Sequence, residues 1–87
     1  MVRIWAKTIQ EEKITRSEII EIDDNYHSGK FGGFVMTVCD RLDIPTPLVI
    51  YSHKFNFTNF NIARFRAEDF VETVDFDMLV LENAIES

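Results

Sequence analysis

Near residue 28 the hydrophobic period of this chain changes from two to about 3.6, and no other feature narrows the possible folds as much. Over residues 2–9, Val2, Ile4 and Ala6 alternate with Arg3, Trp5 and Lys7, the pattern of a strand that buries one face. Over 13–22, Ile14, Ile20 and Ile22 share one parity. Ile19 falls on the other and hints at a bulge or at two partly buried faces. The linking Gln10-Glu11-Glu12 has no Asn-Gly or Gly-Gly pair, so this hairpin is expected to use a loop longer than a tight two-residue turn. Asp23-Asp24-Asn25 ends the hairpin, and Ser28 is the expected cap of a helix. In that helix Phe31, Phe34, Val35, Val38 and Leu42 fall within an arc of about 100°, a stripe suited to lying on a sheet. Cys39 sits at the edge of the stripe. Gly32 and Gly33 weaken the first turns by up to ~1 kcal/mol each, so packing must compensate or another backbone must come close. Pro45 and Pro47 then stop the helix, since proline disfavours helical geometry at the residue before it.

The second half is less regular. Leu48-Val49-Ile50-Tyr51 reads as a buried strand or as an extended lead-in to a further helix. Residues 54–65, KFNFTNFNIARF, fit neither a single helix nor a single strand. The four phenylalanines would circle a helix, and the step from Phe57 to Phe60 breaks a period of two. A short helix over 52–61 followed by extended Ala63-Arg64-Phe65 resolves this. It puts Phe57 and Phe60 on one face and Phe55 elsewhere. Ala67 to Phe70 reads as a turn, and 77–82 as a last strand with Leu79 and Leu81 on one face. The elements specify one α+β domain over 1–87. An antiparallel sheet, formed by the N-terminal hairpin and the C-terminal strand, carries a long amphipathic helix and a short second helix on one face. The expected core is Trp5, Phe31, Phe34, Val38, Leu42, Phe57, Phe60, Leu79 and Leu81.

Charge narrows the range of partners. The net charge is −6, yet residues 67–87 hold seven carboxylates and no Lys or Arg, so the first 66 residues sum to +1. Acidity is thus concentrated in the C-terminal end. A duplex-DNA binder needs a basic surface to neutralise phosphates, and this balance opposes it. The single cysteine, Cys39, cannot form an intrachain disulfide. Arg3 and Lys7 interrupt the apolar residues of MVRIWAKTIQ, so neither a signal peptide nor a membrane span is expected to start there. Cytoplasmic placement is the expectation.

Four short patterns share a resemblance. They are Arg3-x-Trp5-Ala6-Lys7-x-Ile9, Asp43-Ile44-Pro45-x-Pro47, Phe57-x-x-Phe60-x-x-x-Arg64-Phe65 and Asp75-Phe76-Asp77-x-Leu79-x-Leu81-Glu82. Over nearly its whole length the chain resembles a family of small cytoplasmic Firmicutes proteins, gut clostridia among them, with no known activity. The resemblance implies a stand-alone bacterial protein and supplies no catalytic residues.

The residues themselves carry no motif for catalysis, cofactor or metal. Gly29-Lys30-Phe31-Gly32-Gly33 lacks the residue order of a phosphate-binding loop. His27, His53 and Cys39 lack metal-ligand spacing. Asp75 and Asp77 lie two apart and would face the same side of a strand, toward solvent. An enzyme of unidentified type therefore ranks below a non-enzymatic protein-interaction module, whose partner is a second copy or another protein. Neither a membrane nor duplex nucleic acid is an expected partner. The alternative is single-stranded nucleic-acid binding through 54–66, where Lys54, Arg64 and Arg66 stand among aromatic rings on which bases can stack. Phe55 and Arg64 have no evident structural role, and with Arg66 they make the candidate binding surface.

Overall fold

The computed structural model describes residues 1–84. Its elements, in chain order, are β1 (Val2–Gln10), β2 (Lys13–Ile22), a 3₁₀ turn (Ser28–Lys30) running into α1 (Phe31–Leu42), α2 (Tyr51–Phe60), β3 (Ile62–Arg66), a second 3₁₀ turn (Ala67–Asp69) and β4 (Met78–Asn83). The sheet is antiparallel throughout, in the order β2-β1-β4-β3. The α+β class expected from the change of period is the one observed, with β3 added as a fourth strand at the sheet's edge.

Even positions of β1 bury Val2, Ile4, Ala6 and Thr8 on one sheet face. Beside them in register lie Leu79 and Leu81 of β4, then Ala63 and Phe65 of β3. The whole stripe of α1, Cys39 included, covers this face. The aromatic rings are the bulk of the core. Phe31 lies 5.3 Å from Phe57 and stacks 6.3 Å from Phe65, and Phe70 meets Phe76 edge-on at 5.4 Å. Six of the eight phenylalanines are buried, and the other two are Phe55 and Phe60.

Two expected core residues lie outside. Trp5 is 37% exposed, because the odd positions of β1 point away from the helices. Its indole Nε1 donates to Ser17 Oγ at 2.6 Å, and Lys7 Nζ lies 3.9 Å from the ring centroid. Phe60 is 63% exposed. Helical angle alone groups it with Phe57, but it is the last residue of α2, beyond the core wall, and Asn61 at φ 62° turns the chain into β3.

The hairpin departs from expectation in two ways. Gln10 pairs with Lys13, so the connection is a two-residue turn with Glu11 and Glu12 at φ 51° and 66°. A primed turn built without glycine carries strain. Asp77 offsets it by accepting the Glu11 N–H at 2.8 Å while its own N–H donates to the Ile9 carbonyl at 2.8 Å. The second departure is a bulge. Thr8 pairs with Arg16 and Ile9 with Ile14, which leaves Thr15 as the extra residue. That residue reverses the parity of β2, so Ile14 joins Ile9 on the open face while Ile20 stays opposite Ile4 in the core.

The start of α1 also differs. His27, not Ser28, caps the 3₁₀ turn, its Nδ1 accepting the Gly29 N–H at 3.0 Å. A Cβ at Gly29 would lie 2.8 Å from the His27 ring, so this cap requires glycine. No backbone approaches Gly32 or Gly33, where an added Cβ would meet nothing within 4 Å. At the other end Asp43, at φ 55°, takes the left-handed position that closes the helix. The Ile44 N–H reaches the Cys39 carbonyl at 3.0 Å, and the Arg16 guanidinium donates to the Leu42 carbonyl.

Candidate docking surface

After Pro47, which is buried, the chain runs extended across the helical layer into α2. It is the lead-in, not a buried strand. Backbone hydrogen bonds pin it: the Leu48 N–H donates to the Asp69 carbonyl at 2.8 Å, and the Ile50 N–H to His53 Nδ1 at 3.1 Å. With its backbone held and no element above it, the segment leaves Leu48, Val49, Ile50 and Tyr51 exposed.

His53 and Phe57, one helical turn apart, are the residues through which α2 faces inward. Phe57 contacts the rings of both Phe31 and Tyr26 at 5.3 Å. The His53 ring lies 4.2 Å from Phe65, and its Nε2 lies 3.5 Å from Asp69 Oδ2. Because Nδ1 accepts from Ile50, the proton of the neutral ring sits on Nε2, toward Asp69. Burial pushes the His53 pKa below the ordinary histidine value, against the opposing pull of the Asp69 carboxylate. Nδ1 thus holds the lead-in, while Nε2 faces the Asp69 carboxylate. Burial likewise pushes the Cys39 thiol up to about 11, which keeps it protonated and unreactive.

The outward side of α2 carries the surface itself. Tyr51 and Phe55 project there about 40° apart around the helix. Their ring centroids are 5.9 Å apart, and Phe60 meets Phe55 edge-on at 6.0 Å. The two phenylalanines that the core does not use thus touch each other. Two shallow clefts flank this ridge, of about 340 and 290 Å³, and they share Ser28, Tyr51 and Lys54 in their walls. No carboxylate lines either one.

The residues singled out from sequence do not meet. Phe55 belongs to the ridge. Arg64 and Arg66 alternate along β3 with Ala63 and Phe65, which face the helices, so both guanidinium groups lie on the open side of the sheet. There Arg64 is level with Val80, Lys7 and Ser17. Lys7 bonds Glu82 Oε1 at 2.7 Å on that face. Nor do Asp75 and Asp77 share a strand, since both precede β4 and the Asp77 carboxylate serves the hairpin turn. Among the described residues no three His, Cys, Asp or Glu side chains are grouped to hold a metal ion.

No family model, no curated protein and no solved structure matches this chain. Function has therefore to be read from its surface.

The residues that sequence reasoning missed as a site are Leu48 to Tyr51. Their signal was present, because residues 44–66 contain no Asp or Glu and carry Lys54, Arg64 and Arg66 in a chain of net charge −6.

Proposed function

We propose that this chain is a non-enzymatic protein-interaction module that docks through the ridge of α2 and the lead-in before it. One observation carries the reading: Leu48, Val49, Ile50, Tyr51, Phe55 and Phe60 are all exposed within thirteen residues, with Tyr51 at 71%. The patch is at the upper end of the largest apolar area usual on a monomer, and such areas often mark interaction sites. Aromatic side chains are also the residues enriched at the centres of protein interfaces. The clefts beside the ridge are shallow, which suits a protein surface better than an enclosed small molecule. Single-strand binding through 54–66 loses its geometric support, because the arginines and the exposed rings lie on opposite sides of the molecule. Cys39, single and buried as a thiol, suits a reducing compartment, and we place the module in the cytoplasm. The resemblance to small Firmicutes proteins is consistent with that placement.

A photo-cross-linking residue placed at Phe60, compared with one at Ile19, tests the docking surface in the host cell. The two positions are equally exposed, at 63%, but Ile19 lies on the open sheet face. Polypeptide adducts are expected from position 60 and not from 19. Equal labelling at both, or none at 60, would sink the reading.

A further inference from the structure

The layout of the ridge narrows the choice of partner. Resting on the docking reading above, we propose that the ridge seats a second copy of this chain, α2 against α2 in antiparallel orientation, about a two-fold axis passing beside Phe55.

Symmetry is the first argument. A two-fold interface brings one patch against itself, so residues on either side of the axis must be interchangeable in size and chemistry. Phe55 has Tyr51 four residues before it and Phe60 five after it, with ring centroids 5.9 and 6.0 Å away. An antiparallel second α2 centred on Phe55 brings the two Phe55 rings together and carries the Tyr51 end of each helix to the Phe60 end of the other.

Charge is the second. Two copies at −6 repel each other, and the cost depends on which surfaces approach. The ridge and both clefts are free of carboxylates, and Lys54 is the one charged side chain lining them. Its flexible stem lets the ammonium reach solvent at the rim. The 67–77 segment borders the lead-in, where the Asp69 carbonyl accepts the Leu48 N–H, so its acids stand at the rim while the α2 rings take the centre of the contact.

Area is the third. Six side chains at these exposures present on the order of 600 Å² of apolar surface, so two copies would bury at most about 1,200 Å², the lower bound of specific interfaces. Such a contact gives a reversible dimer that responds to concentration, and not an obligate one.

Sedimentation equilibrium of the purified chain from about 1 μM to 1 mM tests this directly. A monomer–dimer equilibrium is expected, weakened at least ~30-fold by Phe55→Glu, since that change would bury a charge at the centre of the contact. Tyr51→Lys, at the most exposed ridge position, serves as a second variant with little risk to folding, and circular dichroism confirms that both remain folded. Dimerisation unaffected by either variant would overturn the proposal. So would a monomer at 1 mM with position-60 adducts formed only to a different polypeptide, an outcome that leaves the docking surface standing. A monomer that gives no adducts at position 60 overturns both readings.

Discussion

Phe34 is buried under the apolar stripe of α1, its ring 5.6 Å from that of Tyr26. Truncating it leaves a void between helix and sheet that rigid neighbours fill only in part. Phe34→Ala should cost ~3–5 kcal/mol in chemical denaturation, and a loss below about 1 kcal/mol would remove Phe34 from the core. His53 behaves differently, through its proton. Its pKa is depressed in the folded chain, so the unfolded chain takes up the proton more readily. The stability linked to this group is complete above the unfolded histidine pKa of about 6.5 and is lost as the pH falls below it, until the folded ring also protonates. A second proton must go to Nδ1, where it displaces the Ile50 N–H. Urea unfolding between pH 8 and 5 should show the decline, and a His53→Asn variant should flatten it. An undiminished slope in the variant would assign the effect to other groups. At this scale Phe34, Val38 and Leu42 were legible from spacing. Trp5 was not, because its size argued for burial while its parity placed it on the open face. Phe60 was missed because helical angle says nothing about where the core wall ends.

The two helices and the hairpin show how far pattern alone reaches. Strand and helix periods identified β1, β2, α1 and β4 within a residue or two, and the incompatible spacing of 54–65 located the change from α2 to β3. The turn and the bulge left no such trace. Left-handed glutamates have no sequence signature, and their support comes from Asp77, sixty-six residues away from Glu11. Glu12→Gly should therefore stabilise the chain by roughly 1 kcal/mol, since glycine takes φ 66° without a Cβ clash. No gain on thermal melting would mean that Asp77 already removes the strain. In α1 the open space at Gly33 makes a parallel case: Gly33→Ala should add ~0.5–1 kcal/mol of helix propensity, and a loss would reveal a neighbour that needs the gap. The lead-in was the least legible element. A run of four apolar residues reads the same whether an element covers it or not, and only the tertiary arrangement shows that none does.

Across the whole molecule, stability is set by which strands are flanked. β1 lies between β2 and β4, and β4 between β1 and β3, whereas β2 and β3 each have a free edge. The half of β2 nearest the turn is also exposed. Amide hydrogen exchange should be slowest in Ile4–Thr8 and Leu79–Leu81 and fast over residues 11–16, and uniform protection along the hairpin would contradict this gradient. The same strand order has a consequence for how the chain is made. β4 is the last of the four strands to be synthesised, yet it sits inside the sheet and joins the hairpin to β3. Without β4 the first 77 residues supply a hairpin, two helices and β3 with no strand to bridge them. Until β4 docks, Ile4, Ala6 and Phe65 have no strand beside them on that side, and closing these long-range pairings is the slow part of folding such a topology.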